Sequence, residues 1–158
     1  MCIRDRHITI ASEFFGVDDY RVSLLHDDAI QWLANYNGAP FDLIIDDLFG
    51  HSEGEPLRAC KLTSNWTDLL QQHLNDQGLL VVNCVDSKEL KNALSEFADS
   101  GFRYGYRWTL QSYENAIGVL SNDPIQARDW SKNLELSGLS AAMQRQARAI
   151  TRRPLKGL

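Results

Sequence analysis

The feature that most restricts the fold of this chain is the alternation of short, strand-like apolar runs with segments of helical periodicity. Residues 79–82 form an uninterrupted apolar run, which is typical of a strand that is covered on both faces in a parallel sheet. Residues 20–25 and 41–48 are predicted to form two further strands, and residues 102–111 and 115–120 an antiparallel hairpin. Strands and helices in alternation predict an α/β fold.

Helical segments separate these predicted strands. The clearest apolar stripe follows the spacing i, i+3, i+4, i+7, i+8 and comprises Trp66, Leu69, Leu70, His73 and Leu74, with Gly78 after it as a stop signal. Residues 7–15, 29–36 and 87–100 are also predicted to be helical, whereas residues 50–56 are polar and contain glycine, which predicts a loop. We therefore expect a mostly parallel, Rossmann-like sheet with helices on both faces and an antiparallel pair at one edge.

Several classes of protein are excluded by simple counts. A length of 158 residues suits one domain, and no apolar run approaches the roughly 20 residues of a membrane helix. The first six residues lack the apolar core of a signal peptide. Cys2, Cys60 and Cys84 are far apart and match no disulfide or zinc pattern. We therefore expect a cytoplasmic protein with reduced thiols and no membrane partner.

Charge is distributed unevenly along the chain. The net charge is −5, but the residues from Ile125 onward contain seven Lys or Arg and two acidic residues, so this tail carries +5 and the first 124 residues carry −10. A basic tail is one signature of an anionic partner, but no aromatic residue is interleaved among its last basic positions, which favours a solvated terminal helix. The acidic main body disfavours nucleic acid as the principal ligand. We expect a domain over residues 7–124 and a basic helical tail over residues 125–158.

Acidic side chains follow two of the predicted strands, where open α/β sheets bind ligands. Asp28 is followed by Ala29, whose small side chain would let a flat ring approach the backbone. Capping of the next helix explains Asp28 equally well. Asp46 and Asp47 end the second strand, and because strand neighbours point to opposite faces, only one of them can face a given pocket. A metal site of Asp46, Asp47 and His51 is disfavoured, since a hard cation needs several converging oxygens.

Four segments within residues 7–122 together resemble the later part of a spermidine synthase-like protein, within the class I S-adenosylmethionine-dependent methyltransferase fold. In chain order they are ITIASEFFG from residue 8, RVSLLHDDAIQWL from residue 21, FDLIIDDLF from residue 41 and LNDQGLLVVN from residue 74. Residues 1–6 fit no part of that pattern, and we expect them to be a non-native leader.

The resemblance implies a site and a chemistry. It implies that Asp28 contacts the adenine amino group of S-adenosylmethionine or decarboxylated S-adenosylmethionine, with Ala29 beside the ring. It implies that Asp47 is the acid next to the reacting centre, and a carboxylate there can aim and deprotonate an attacking amine. The implied activity is aminopropyl or methyl transfer to a small amine, such as a polyamine, without a metal.

The chain also departs from the family pattern. The glycine-rich loop after the first strand of the fold and the acid that ends the second strand are not among these residues. Aminopropyltransferases have Asp-Ser-Ser/Thr-Asp where this sequence has Asp47-Leu48-Phe49-Gly50. We therefore expect a fragment that lacks the first strands, binds S-adenosyl ligands poorly and is inactive alone. Open strand edges would favour association, so a homodimer is one expected state.

Two other functions compete with the transferase. One is a non-catalytic, partner-binding α/β domain derived from the same family. The other is a receiver-like signalling domain, in which an acidic pair would accept a phosphoryl group. The receiver needs a further Asp after its middle strand and a Lys after its last strand, and Asn83-Cys84-Val85-Asp86-Ser87 fits that pattern poorly.

Overall fold

The computed structural model describes residues 5–52, 55–125 and 130–158. The chain divides into two compact units, one up to Gly38 and one from Ala39 onward. Among the helices of these residues, none has the length and the apolar character needed to cross a membrane.

From residue 5 onward, where its description begins, the first unit contains two helices and a short turn. Helix α1 covers Asp5–Phe15, a 3-10 turn covers Val17–Asp19, and helix α2 covers Ala29–Ala34. Both helices are confirmed, as is the stop signal at Gly16, where φ is +59° and a side chain would be strained.

The strand predicted over residues 20–25 is wrong. This segment runs in extended or bent conformation without pairing to any described strand, and Val22 and Leu25 are 55% and 52% exposed. A strand is stabilised by the ladder hydrogen bonds of a neighbour, so apolar, β-prone residues without a neighbour form no strand.

The second unit contains the sheet. Its strands, in chain order, are β1 Phe41–Asp46, β2 Phe49–Ser52, β3 Glu55–Arg58, β4 Leu74–Cys84, β5 Tyr104–Thr109, β6 Ala116–Ser121 and β7 Thr151–Pro154. Its helices are α3 Ser64–Gln72, α4 Ser87–Asn92, α5 Leu94–Asp99, α6 Trp130–Leu136 and α7 Ala141–Ala149. Five strands form one sheet in the order β1-β4-β6-β5-β7, and β2 and β3 form a separate hairpin.

The expectation of a mostly parallel sheet is wrong. Among the described strands of this sheet, only β1 and β4 pair in parallel, whereas the pairs β4–β6, β6–β5 and β5–β7 are antiparallel. The predicted β5–β6 hairpin is confirmed, but it is β6 that lies directly beside β4. Because the hairpin reverses direction, its insertion next to β4 makes the rest of the sheet antiparallel.

The core lies on one face of the sheet. Leu80 and Val82 of β4 are fully buried on the side occupied by Leu70, Leu90 and Phe97 of the helices α3, α4 and α5. The alternate residues of β4 are only partly buried. Residues 79–82 are therefore fully covered on one face of the sheet and only partly covered on the other.

The opposite face of the sheet is covered unevenly. Trp130 of α6 packs against Trp108 of β5, with ring centroids 5.3 Å apart. On β1, by contrast, Leu43 and Ile45 are 50% and 64% exposed. Helices thus contact both faces, but the β1 end of this face stays open.

The predicted end of the third helix at Gly78 is wrong: α3 ends at Gln72, and Leu74 and Gly78 lie in β4. Two further segments differ from their predicted form. The loop expected over residues 50–56 is replaced by the hairpin of β2 and β3, in which Phe49 pairs with Arg58 and Gly50 with Leu57. The tail expected to be helical contains α6 and α7, but it ends with β7, which pairs with β5. Strand β7 depends on non-local pairing with β5, whereas β2 and β3 are neighbours in the chain; a basic or a polar stretch does not reveal either pairing.

Candidate functional site

Asp47 and Asn83 form the centre of the candidate site. Asp47 directly follows β1, and Asn83 lies near the end of β4. Since β1 and β4 are parallel neighbours, their carboxyl ends meet at one edge of the sheet. There the side-chain amide of Asn83 donates a hydrogen bond of 2.9 Å to Oδ1 of Asp47, whose side chain is exposed.

A third residue extends this contact. Asn115, immediately before β6, donates from Nδ2 to Oδ1 of Asn83 at 2.9 Å. The Asn83 amide therefore accepts from Asn115 on one side and donates to Asp47 on the other, which fixes the orientation of its plane. The chain Asn115, Asn83, Asp47 holds one carboxylate oxygen in place and leaves Oδ2 of Asp47 with no hydrogen-bond partner among the described residues.

Asp46 has a separate, structural environment. Its buried carboxylate pairs with Arg58 at 2.5 Å and accepts a hydrogen bond of 2.9 Å from Nε1 of Trp66. The amide of Leu48 donates to its other oxygen at 3.3 Å. Asp46 is thus buried whereas Asp47 is exposed, as expected of neighbours that point to opposite faces of a strand.

Arg58 was missed by the sequence analysis because its hairpin was predicted as a loop. Its guanidinium donates to Asp46, to the backbone oxygen of Asn83 at 2.6 Å and to that of Cys60 at 3.1 Å. Glu89 lies 3.8 Å away, and the side chain of Arg58 is only 2% exposed. Arg58 thus links the carboxyl ends of β1 and β4. In the sequence, the one indication of this role is an arginine that follows a strand ending in acidic residues.

A cavity of about 240 Å³ adjoins this site at Asn115. Its walls are mostly apolar and include Trp108, Leu110, Tyr113 and Ile117. The cavity lies at the turn that joins β5 to β6, and this turn is at the same edge of the sheet as Asn83, because Cys84 pairs with Ala116. Asn115 is therefore shared by the polar chain and by the apolar cavity.

Asp28 and Ala29 lie in the first unit, at the start of α2. Oδ1 of Asp28 accepts from the amides of Ile30 and Gln31 at 3.0 and 2.9 Å. Helix capping, the alternative explanation of Asp28, is therefore present. Oδ2 accepts no hydrogen bond from any other described residue. Ala29 is the first residue of α2 and is partly exposed.

Neither a metal-ligating cluster nor a readily ionised thiol at Cys84 is present in the described parts of the chain. These parts contain no cluster of three or more His, Cys, Asp or Glu that could hold a metal ion, and the side chain of His51 lies outside them. Cys84 is fully buried. Burial above all, with a smaller effect of Glu89, raises the pKa of the Cys84 thiol to about 12, so it stays protonated.

Comparison with known proteins shows a likeness in structure only. No protein-family model and no curated protein matches the sequence. Human methyltransferase-like protein 13, solved in complex with SAH, superposes with a TM-score of 0.60 at 17% identity, covering 92% of this chain and 68% of that one. Spermidine synthase with the transition-state analogue AdoDATO gives a TM-score of 0.63 at 12% identity, covering 87% of this chain and 49% of the other.

A probable spermidine synthase from Corynebacterium glutamicum has a TM-score of 0.59 at 18% identity, with coverage of 94% of this chain and 54% of that chain. The chain thus spans about half the length of the spermidine synthases that it resembles. At sequence identities this low, the comparison shows similarity of fold only. The chain has an α/β fold similar to that of the S-adenosylmethionine-dependent methyltransferases and the spermidine synthases.

Proposed function

We propose that the protein from which this chain comes transfers an alkyl group, methyl or aminopropyl, from an S-adenosylmethionine-type cofactor to a small amine. The observation that carries this proposal is the exposed carboxylate of Asp47, held by Asn83 at the carboxyl edge of β1 and β4. In open α/β sheets this edge is where ligands bind. The similarity to solved structures that contain SAH and AdoDATO supports the choice of cofactor class.

The residues present fit a nucleoside-type cofactor and an amine. Asp28 uses only Oδ1 for capping, so Oδ2 is available to accept a hydrogen bond from an adenine amino group, and the small side chain of Ala29 leaves room beside a ring. Asp47 likewise uses only Oδ1, which leaves Oδ2 for an amine. Each acid thus retains one acceptor for a ligand.

The cofactor, when bound, would supply an electrophilic carbon next to a sulfonium, and the C–S bond to that carbon would break so that the sulfur leaves as a neutral thioether. The task of the protein is to present a neutral amine in line with that carbon. Oδ2 of Asp47 accepts an N–H of the amine, which aims its lone pair, and takes up the proton that the nitrogen loses as the new bond forms. Asn83 keeps the carboxylate from rotating, so its aim is maintained.

The apolar cavity beside Asn115 fits the body of the acceptor. Its volume of about 240 Å³ and the ring surfaces of Trp108 and Tyr113 suit a small organic amine. The acceptor would thus lie with its apolar part in the cavity and its nitrogen toward the edge of the sheet.

The second candidate is a non-catalytic, partner-binding domain of the same fold. The observation that favours it is the capping bond of Asp28, because this bond accounts for the residue without a cofactor. Such a domain would retain the fold but would show no group transfer, and the carboxylate of Asp47 would be dispensable for its function.

The test compares Asp47→Asn with Asp76→Asn in the intact protein. Asp76 is also exposed and lies at the other end of β4, so it controls for the loss of one surface charge. Transfer from S-adenosylmethionine and from decarboxylated S-adenosylmethionine to a panel of small amines is measured. Loss of about a hundredfold in turnover for Asp47→Asn alone supports the proposal, whereas equal turnover in both variants removes Asp47 from the mechanism.

A further inference from the structure

Four cationic side chains surround a cavity on the helix-covered face of the sheet. Lys91 comes from α4, Arg107 from β5, Arg153 from β7, and Lys156 from the residues that follow β7. The cavity has a volume of about 220 Å³, and Ser87 at the start of α4 also lines it. No acidic residue belongs to the lining in the part of the chain that the structure describes.

Arg107 and Arg153 lie directly opposite each other in the antiparallel pair of β5 and β7. Residues in this relationship share one face of the sheet, and like charges placed so repel each other and destabilise the pair. Neither arginine forms an ion pair with a described acid, since the described ion pairs of arginine involve Arg58 and Arg148. The repulsion between these two cations is thus not offset by a described side chain.

The packing of the sheet holds the cavity together. Arg107 also pairs with Gly118 of β6, and a Cβ atom at Gly118 would lie only 2.7 Å from the side chain of Leu90 in α4. Glycine at this position therefore lets α4 approach the sheet closely, which brings Lys91, the next residue of the helix, to the arginines. The cationic cluster is a product of tertiary packing between α4, β5 and β7.

We propose that this cavity binds a small anion with two linked phosphate groups, of the pyrophosphate class. Guanidinium groups bind phosphate oxygens through paired N–H donors, and lysines add point charges. A volume of about 220 Å³ is below the lower limit of roughly 300 Å³ for drug-sized ligands. It therefore suits linked phosphates better than a whole nucleotide.

Nucleic acid is a poorer match to the same cluster. A chain that binds nucleic acid usually presents an extended basic stripe and a basic net charge. Here the charges line a single small cavity, and the whole chain has a net charge of −5. The site shares no residue with the Asp47 site, so its occupancy is tested independently of group transfer.

The experiment titrates pyrophosphate into the 158-residue chain by calorimetry at low ionic strength. The variants are Arg107→Gln and Arg153→Gln, and the control is Arg145→Gln, an exposed arginine of α7 that does not line the cavity. Saturable binding at one site is expected, weakened about tenfold or more by either variant. The control is expected to bind as the unchanged chain does.

A second measurement keeps the test decisive if a variant folds poorly. Lys156→Gln alters an exposed residue after the last strand and leaves the sheet intact, yet it too is expected to weaken binding. Without ligand, Arg153→Gln is expected to raise the midpoint of thermal unfolding, because the repulsion with Arg107 is removed. Three outcomes would overturn the proposal: a lack of saturable binding, equal weakening of binding by Arg145→Gln, or binding of oligonucleotides alone.

Discussion

The side-chain amide of Asn83 lies between two other residues of the candidate site and donates a hydrogen bond of 2.9 Å to the carboxylate of Asp47. The two residues are 36 positions apart in the chain and meet because β1 and β4 are parallel neighbours. This contact orients an exposed acid, and the proposed role of Asp47 as a general base requires such an orientation.

Removal of the Asn83 side chain should therefore impair turnover more than stability. In Asn83→Ala, the backbone oxygen that accepts from Arg58 remains, so only the contacts to Asp47 and Asn115 are lost. We expect turnover of the intact protein to fall by about tenfold and the free energy of unfolding by about 1 kcal/mol. Steady-state kinetics and urea titration measure the two effects.

The matched control is Asn92→Ala, an exposed asparagine at the end of α4. It should change neither quantity appreciably. If Asn83→Ala retained full turnover, the orientation of Asp47 by this amide would have no catalytic role.

Arg58 is expected to matter for folding. Arg58→Met leaves the buried carboxylate of Asp46 without its cation, a loss of about 3 to 5 kcal/mol in the free energy of unfolding. Arg148→Met serves as control, because the pair of Arg148 with Glu135 is exposed and should contribute less than about 1 kcal/mol. Urea unfolding of both variants separates the two cases, and equal losses would contradict the assignment of a buried ion pair.

Tyr113 should affect the binding of the acceptor. Its side chain is 65% exposed and lines the apolar cavity beside Asn115, so Tyr113→Ala removes a cavity wall at little cost to the fold. We expect KM for the amine to rise by about tenfold, with kcat nearly unchanged. Tyr104→Ala, a 41% exposed tyrosine of β5 outside that cavity, is the control. A similar KM for both variants would place the acceptor elsewhere.

The thiol of Cys84 should be unreactive in the folded protein. Burial raises its pKa from 9.0 to about 12, and only the thiolate reacts with disulfide reagents. In a Cys2→Ser, Cys60→Ser background we expect no reaction with DTNB at pH 8 until denaturant is added. Rapid labelling of the native protein would show that Cys84 is accessible.

The same raised pKa links stability to pH. The folded chain keeps the proton that the unfolded chain loses above about pH 9, so the stabilising contribution is complete below pH 9 and is lost as pH approaches 12. Chemical denaturation of the Cys-depleted chain across this range should show the decline. In Cys84→Ala the decline attributable to this thiol should be absent.

Cofactor binding by the 158-residue chain itself should be weak. Two elements of the family pattern, the glycine-rich loop and the acid after the second strand, are not among its residues. Calorimetric titration with S-adenosylhomocysteine should show no saturable binding with a Kd below about 1 mM. This Kd corresponds to a binding free energy of roughly −4 kcal/mol. Micromolar, saturable binding would show that the residues present suffice.

Local sequence determined the positions of several elements in this protein. The helices α1 and α2 follow their apolar periodicity and their stop signals, and β1, β4 and the β5–β6 hairpin contain their predicted apolar runs. Helix α3 follows its apolar stripe only as far as Gln72, because Leu74 and Gly78 pair within β4. These patterns can be recognised in the sequence because apolar periodicity and helix capping depend on residues that are only a few positions apart. The position of Asp47 at a strand end was predictable for the same reason.

Only the tertiary structure decided which strands pair and which side chains meet. Asn83 reaches Asp47 across 36 residues, and Arg58 reaches Asp46 from a hairpin that its polar sequence had hidden. The antiparallel insertion of β6 beside β4, the pairing of β7 with β5 and the lack of a strand over residues 20–25 depend equally on distant partners. A strand and a buried charge are each stabilised by a partner that can be distant in the sequence. The residues next to them in the chain do not specify which partner that is.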